Sequence, residues 1–383
     1  MSNANSSGGN VHRALEIFWA FLRLGLIAFG GPIAHLVFFR RWFVEQRRWL
    51  SDTAYTQIVA LAQVIPGPAS SQAGFAIGLH RGGLVGGIAA WIGFTLPAAV
   101  IMIGFGTVYT QGFISGLKLA AIAVVAHALY GMAKSICVDW QRGAIAMVCA
   151  IGASVIPGIF GQISMLLLGA IAALMLLKPT ATPHQAINIP VSRTLAVSAF
   201  LLFIIGFLLT LGLPGIHGGL WSVLFQSGAL VFGGGHVVLP LLESGLVPTG
   251  LIDTEAFLAG YGAAQAIPGP LFTFAGYLGA QIHPELAILA GGLALICIFA
   301  PGLLLVLALL PVWQRLTDFP RAQQALTGIN IAVVGLLAAV LINPLLLQGI
   351  NDWKDAAVAL LAFAALLSGR VPVYLVVIIC AAI

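Results

Sequence analysis

The sequence predicts an all-α polytopic membrane protein made of two homologous helical repeats, each with a helical hairpin broken by Pro-Gly-Pro. The first observation behind this prediction is composition. Of the 383 residues, 60% are hydrophobic and only 7% are charged, whereas a soluble domain has about 25% charged residues. Apolar blocks long enough to cross a bilayer recur along the chain, which is typical of a multi-pass membrane protein. The second observation is a motif that occurs twice.

That motif is Gln63 followed by Val-Ile-Pro66-Gly67-Pro68, and it recurs as Gln265 followed by Ala-Ile-Pro268-Gly269-Pro270. Both copies have apolar, helix-compatible sequence on each side. Proline lacks an N–H group and disfavours a helical residue before it, while glycine relaxes the backbone, so Pro-Gly-Pro divides a helix into two half-helices. Arg81 follows the first hairpin on a second basic segment, which favours a re-entrant hairpin that returns to the side it entered from.

The start of each second half-helix is predicted to bind an anion. Ser70 and Ser71 follow the first motif and Thr273 follows the second, so hydroxyl groups and free N–H groups collect at the positive end of a helix. The alternative for these hydroxyl groups is plain helix capping. Gln63 and Gln265 are candidates for anion contact too, or else for hydrogen bonds between helices.

The third observation is that the second half repeats the plan of the first. Phe29-Gly30-Gly31 matches Phe232-Gly233-Gly234-Gly235-His236, and each glycine run precedes its Pro-Gly-Pro motif by a similar interval. Duplication of one ancestral unit explains this pattern. The loop before the first hairpin carries Arg40, Arg41, Arg47 and Arg48, whereas residues 243–255 carry three acids and no Lys or Arg.

Because basic residues favour the cytoplasmic side, this contrast predicts that the repeats insert in opposite orientations, as in many transporters. An additional apolar block at 194–213 argues the other way, since one extra span would restore a parallel arrangement.

The predicted boundaries follow composition. Residues 1–10 are polar and predict a disordered tail, residues 11–178 form the N-terminal repeat, 179–193 a proline-containing polar linker, and 194–383 the C-terminal repeat. The Arg-rich segment 38–50 has its aromatic residues on one side and predicts a helix that lies in the membrane interface.

Arg23 is the charged residue that stands deepest in the first apolar block. A charge there costs at least roughly 2.5 to 3.5 kcal/mol unless it is paired or hydrated, so we expect Arg23 to face the protein interior and supply positive charge to the site. The alternative is that Glu16 and Arg23 extend toward one interface. The matching position in the second repeat is Gln226.

Several other function classes are disfavoured. The net charge of +5 comes from residues near predicted membrane edges, so nucleic acid is a poor partner. The four cysteines have no CxxC spacing, which predicts buried free thiols and no metal site. His127 lies in an apolar run and is expected to be a buried neutral residue. Since HExxH and paired intramembrane carboxylates do not occur, an enzyme is not expected, nor is a cofactor.

These motifs, taken in order, resemble the chromate ion transporter family in its long, two-domain form. The stretches that carry the resemblance are Phe21-Leu-Arg-Leu-Gly before Phe29-Gly-Gly-Pro-Ile-Ala-His, Arg47-Arg-Trp-Leu, Pro66-Gly-Pro-Ala-Ser-Ser-Gln, 232–242 and 260–274. The resemblance implies a secondary transporter in the bacterial inner membrane that exports chromate and thereby confers resistance. Its expected partners are chromate, the similar dianion sulfate and the lipid bilayer, and a homodimer is one assembly that the sequence allows.

The alternatives within this class are a sulfate-type oxyanion carrier and an anion channel. A carrier needs a coupling ion, and proton-coupled carriers usually have a titratable group within the membrane. His236 and Glu243 are seven residues apart and share a face if helical, so they are the predicted proton-coupling pair. The alternative is a solvated Glu243 and a His236 that serves only as a hydrogen-bond donor.

Overall fold

The computed structural model describes residues 4–108, 114–156, 158–178, 189, 191–212, 219–232, 235–313 and 319–382. Its helices in the first half are α1 (Ala4–Ile27), α2 (Gly31–Phe39, continued by a π-helical segment, Arg40–Gln46), α3 (Asp52–Val64), α4 (Ala69–Thr107), α5 (Ile114–Ile136), α6 (Trp140–Val155) and α7 (Gly158–Leu176). The predicted all-α class is confirmed, and the described residues contain no strand.

The second half contains α8 (Arg193–Gly212), α9 (Leu220–Leu230), α10 (Val238–Leu246), α11 (Thr254–Ala266), α12 (Phe274–Ile282), α13 (Ala287–Leu309), α14 (Pro320–Val340, continued by a π-helical segment, Leu341–Leu346), α15 (Trp353–Leu367) and α16 (Val373–Ala381). Within the described residues, six helices are long and apolar enough to cross a membrane. The chain is therefore a multi-pass membrane protein.

Helix α4 is two helices joined by a sharp bend. Gly82 and Gly83 have non-helical dihedral angles, and beyond the bend the chain turns back, so that Gly78 packs on Gly86 and Phe75 on Gly87. We call residues 69–81 α4a and residues 84–107 α4b. The second half has the same hairpin, since Gly279 of α12 packs on Ala290 and Ala294 of α13.

The two hairpins enter from opposite ends of α4b. The bend of the first hairpin lies against Ile17 at the beginning of α4b, whereas Gly106, near the end of α4b, packs on Tyr277 and Ala280 of α12. The equivalent helices α4b and α13 also run antiparallel, because Trp91 stacks edge-on against Phe299 while Ile103 lies against Gly291. These contacts support the prediction of opposite insertion.

Two of the segments predicted to lie outside the repeats contain the beginning of a helix. Helix α1 begins at Ala4, within the segment 1–10 that was predicted as a disordered tail. The predicted linker 179–193 falls almost entirely outside the described residues, apart from 189 and 191–193, and α8 begins at its last residue, Arg193.

The predicted interfacial segment is helical as far as Gln46 and has a buried aromatic side. Phe39, Phe43 and Leu50 are buried; Phe43 stacks on both Phe21 and Trp49. The exposed Arg40 bonds to Asp52 at 2.8 Å and to Glu45 at 2.7 Å. The hydrogen bond with Asp52 raises the pKa of the Arg40 guanidinium.

Candidate functional site

The two Pro-Gly-Pro motifs are joined to opposite repeats by a reciprocal pair of hydrogen bonds. The N–H of Gly67 donates to the carbonyl of Val231 at 2.7 Å, and the N–H of Gly269 donates to the carbonyl of Ala28 at 3.0 Å. Ala28 and Val231 each precede the Phe-Gly-Gly run of their own repeat, so the two bonds are equivalent. Each motif thus binds the chain at the end of a helix in the other repeat, α9 for the first motif and α1 for the second.

Both glycines approach the other repeat too closely for a larger residue. Gly67 has φ 131° and Gly269 has φ 109°, a region that L side chains rarely adopt. A Cβ atom at Gly67 would lie 2.9 Å from the Cα of Gly302, and one at Gly269 would lie 3.1 Å from the Cβ of Ala98. Ala98 follows the proline within α4b, and Gly302 follows the proline within α13. These two contacts are therefore equivalent as well.

Gln72 was not among the predicted site residues, yet it holds the first motif in place. Its Nε2 donates to the carbonyl of Pro66 at 2.7 Å and to the carbonyl of Gly302 at 3.2 Å. The side chain is fully buried, and its Oε1 has no hydrogen-bond partner among the described residues. The available signal was its place in the Pro-Gly-Pro-Ala-Ser-Ser-Gln run, where the second copy has Phe274 instead.

The two half-helix starts differ in their free donors. α4a begins after Pro68, which makes no side-chain cap, so the N–H groups of Ala69, Ser70 and Ser71 have no acceptor within the helix. Ser70 and Ser71 are 3% and 1% exposed, and the Oγ of Ser71 has no hydrogen-bond partner among the described residues. In the second copy both the N–H and the Oγ1 of Thr273 bond to the carbonyl of Pro270.

The N–H groups of Gly67 and Gly269 are not available to an anion, because both donate to the other repeat. The first half-helix keeps donors of its own. In the second, the N–H of Thr273 is occupied because the helix opens with a tight 3₁₀ turn, Leu271–Thr273.

The glycine runs lie beside the same region. Gly235 packs on Leu271 at the start of the second half-helix and on Pro32, which follows Gly30 and Gly31. Gly233 and Gly234 lie outside the described residues. His236 belongs to a 3₁₀ turn, Gly235–Val237, and its side chain is not described.

Of the two glutamines in the motifs, Gln63 is exposed, whereas Gln265 is half-buried. The Nε2 of Gln265 is buried and has no hydrogen-bond partner among the described residues. Gln265 is therefore the better placed of the two to bind a ligand or a water molecule, since an unpaired buried donor is costly.

Arg23 is exposed, so the prediction that it faces the protein interior is wrong. The apolar stripe of α1, which includes Ile17, Phe21 and Leu24, is fully buried and faces α4b, which leaves Arg23 on the opposite side. Its counterpart Gln226 is buried because α8 covers α9, and its Nε2 donates to the carbonyl of Thr210 at 3.0 Å.

Glu16 lies apart from Arg23, among basic residues near the bend of the first hairpin. Its carboxylate is 3.5 Å from Arg47 and 3.4 Å from Arg81. Both guanidinium groups also lie over the ring of Trp49. This end of the first hairpin is therefore a fixed cluster of basic and aromatic residues at the predicted cytoplasmic side.

Glu243, the predicted proton-coupling carboxylate, is buried near the end of α10 and 8% exposed. No described residue forms an ion pair with it. The predicted alternative of a solvated Glu243 is therefore wrong, because α10 packs on α7, α9 and α14 and these helices cover most of the residue. Whether it pairs with His236 stays a prediction, as that side chain is not described.

Comparison with known proteins gives the family. The model of the chromate transporter family matches residues 15–211 and 218–383, so the two matched segments divide after α8 and not at the predicted linker. A probable chromate transport protein of Synechococcus elongatus is 28% identical over 94% of this chain and 92% of its own. The chromate transport protein of Pseudomonas aeruginosa is 27% identical over 86% and 80%.

A chromate transport protein of Cupriavidus metallidurans is similar at 24% identity, over 94% of this chain and 91% of its own. No solved structure matches the chain. Because the family model covers both repeats, and the helices on which it falls form one multi-pass membrane protein, the chain belongs to the chromate transporter family.

Proposed function

We propose that the chain is a secondary transporter that exports chromate across the bacterial cytoplasmic membrane and so confers chromate resistance. The observation that carries this proposal is the reciprocal pair of hydrogen bonds, Gly67 to Val231 and Gly269 to Ala28. Each bond joins one helix break, with its polar side chains, to the other repeat. Broken helices between repeats are where secondary transporters place their substrate sites.

Chromate is a tetrahedral dianion at neutral pH, so its site must offer hydrogen-bond donors and positive charge. The first-turn N–H groups of α4a and the unpaired Oγ of Ser71 supply donors at a helix N-terminus. The buried Nε2 of Gln265 adds another. Thr273 uses its donors locally in this conformation, so its contact with the anion requires the second half-helix to open.

Arg23 is the proposed counter-charge, through the planar fork of its guanidinium. It is exposed in this conformation, and Gly25, two residues further along α1, reaches the second motif, since its carbonyl lies beside Gly269. A change of conformation that moves α1 against the second hairpin would carry Arg23 with it. We therefore assign Arg23 to a state in which the anion enters or leaves.

The test is uptake of radioactive chromate by inside-out membrane vesicles that contain equal amounts of wild type, Arg23→Gln or Arg23→Lys. We expect saturable uptake that sulfate inhibits in the wild type and a loss of tenfold or more in both variants, because a charge-assisted hydrogen bond contributes roughly 1.5 to 3 kcal/mol and lysine lacks the fork. Wild-type uptake by Arg23→Gln would remove this residue from the site.

Two other functions are separated by the same vesicles. A sulfate-type carrier would take up sulfate with chromate only as a weak competitor. An anion channel would equilibrate chromate but would not accumulate it against its gradient. We propose that accumulation is driven by a proton gradient through Glu243, with His236 as its predicted partner, so Glu243→Gln and His236→Gln should each lose pH-gradient-driven uptake.

A further inference from the structure

A cavity of about 270 Å³ lies on the side of α10 that faces α7 and the end of α14. Its described polar lining consists of Ser154, Gln162, Glu243, Ser244, Asn343 and Gln348. Asn343 and Gln348 are exposed, so the cavity opens to the surface at that end. Its volume accommodates an ion together with several water molecules.

Gln162 lines this cavity and has a side-chain oxygen without a hydrogen-bond partner among the described residues. Its Nε2 donates to the carbonyl of Pro240 at 3.0 Å and also contacts the Oγ of Ser244. Because a carbonyl can only accept a hydrogen bond, the amide nitrogen must face Pro240. The Oε1 is left buried with no hydrogen-bond partner among the described residues, and the residue as a whole is only 6% exposed.

Glu243 is the ionisable group among the described residues that line the cavity, and no described cation neutralises it. Helices α7 and α9, which pack on α10, contain no ionisable residue. On α14 the charged residue is Arg321, in the first turn and thus at the far end from Asn343. His236 precedes α10, and its side chain is not described.

The backbone around the cavity is irregular on both sides. α14 loses its helical geometry at Asn343, which has φ −135° and ψ 117°, and α10 is a helix of nine residues that ends at Leu246. Within a membrane protein, non-helical backbone persists where it is buried in protein or lines a wet cavity. Unwound segments and the C-terminal ends of half-helices are also where transporters coordinate coupling cations.

We propose that this cavity binds a sodium ion, with the carboxylate of Glu243 and the Oε1 of Gln162 as ligands. The available donors are all oxygen atoms, which suit a hard cation, and one carboxylate balances one positive charge. A proton competes for the same carboxylate. The role of this ion in driving export rests on the proposed function, whereas its binding does not.

The cavity mouth lies at the end of the molecule that carries the acidic segment 243–255, which the charge pattern predicts to be non-cytoplasmic. A cation that enters there moves down the usual inward gradient. Exchange of that ion for an outgoing dianion would then let the sodium gradient add to the proton gradient that the proposed function assigns to the same carboxylate.

The experiment measures the melting temperature of purified full-length protein in detergent at pH 8, with NaCl or choline chloride at equal ionic strength. We expect the melting temperature of the wild type to rise with Na⁺ concentration and to saturate, because a ligand that binds only the folded state stabilises it. Because protons compete with Na⁺ for the carboxylate, a lower pH should raise the Na⁺ concentration that gives half of this shift.

Glu243→Gln should lose the Na⁺ dependence at every pH, and Glu243→Asp should keep it at higher Na⁺ concentrations. The matched control is Glu285→Gln, an exposed glutamate on the bend of the second hairpin, which should respond like the wild type. No Na⁺ dependence in the wild type between pH 5.5 and 8, or an equal dependence in Glu243→Gln, would overturn the proposal. Na⁺ binding without chromate transport would instead refute the proposed function and leave this site standing.

Discussion

At the scale of single residues, Gly67 is a position where one added carbon atom has a large effect on stability. Its positive φ and its contact with Gly302 leave no room for a Cβ atom. We expect Gly67→Ala to destabilise the protein by roughly 1 to 3 kcal/mol, the cost of holding an L residue in such a backbone region, and to abolish chromate uptake.

The measurement is the thermal melting temperature in detergent together with vesicle uptake. Gly104→Ala is the matched control, because Gly104 lies in α4b with no atom within 4 Å of an added Cβ. If Gly67→Ala melts and transports like Gly104→Ala, the close contact between the repeats is not required.

At the scale of elements, the hydrogen bonds of Gln72 fix the break between α3 and α4a. Gln72→Met keeps the length of the side chain but leaves the carbonyls of Pro66 and Gly302 without this donor. A buried acceptor without a partner costs roughly 1 to 3 kcal/mol, so we expect a lower melting temperature and slower uptake. Gln46→Met, at an exposed position, is the control, and equal melting of the two variants would argue against this role.

The sequence predicts some parts of these elements well and others poorly, for physical reasons. Pro-Gly-Pro forbids a continuous helix, so the helix breaks after Val64 and Ala266 were predictable from local stereochemistry. The partner of Gly67 was not, because Val231 is distant in sequence and is defined only by packing. Arg23 was misplaced because the free-energy cost of its charge depends on which helices cover α1. In the second repeat α8 covers the equivalent face of α9, but α8 has no described counterpart beside α1.

At the scale of the whole molecule, opposite insertion of the repeats predicts the sides on which the two hairpin ends lie. In a variant without the native cysteines, single cysteines at Glu45 and Glu285, both exposed, report on those ends. A membrane-impermeant maleimide added to intact cells should label position 285 and not position 45, because the arginine-rich end is predicted to be cytoplasmic. Labelling of both positions, or of 45 alone, would contradict this topology.

The central claim is that the two half-helices form one anion site between the repeats, and chromate binding to the purified protein tests it most directly. Isothermal titration should give one chromate per chain, displaced by sulfate. Ser71→Ala should weaken binding about tenfold or more, as expected for the loss of a hydrogen bond to a charged group, and Thr273→Val should weaken the same single site. Two independent sites per chain, or binding that neither variant changes, would contradict the account.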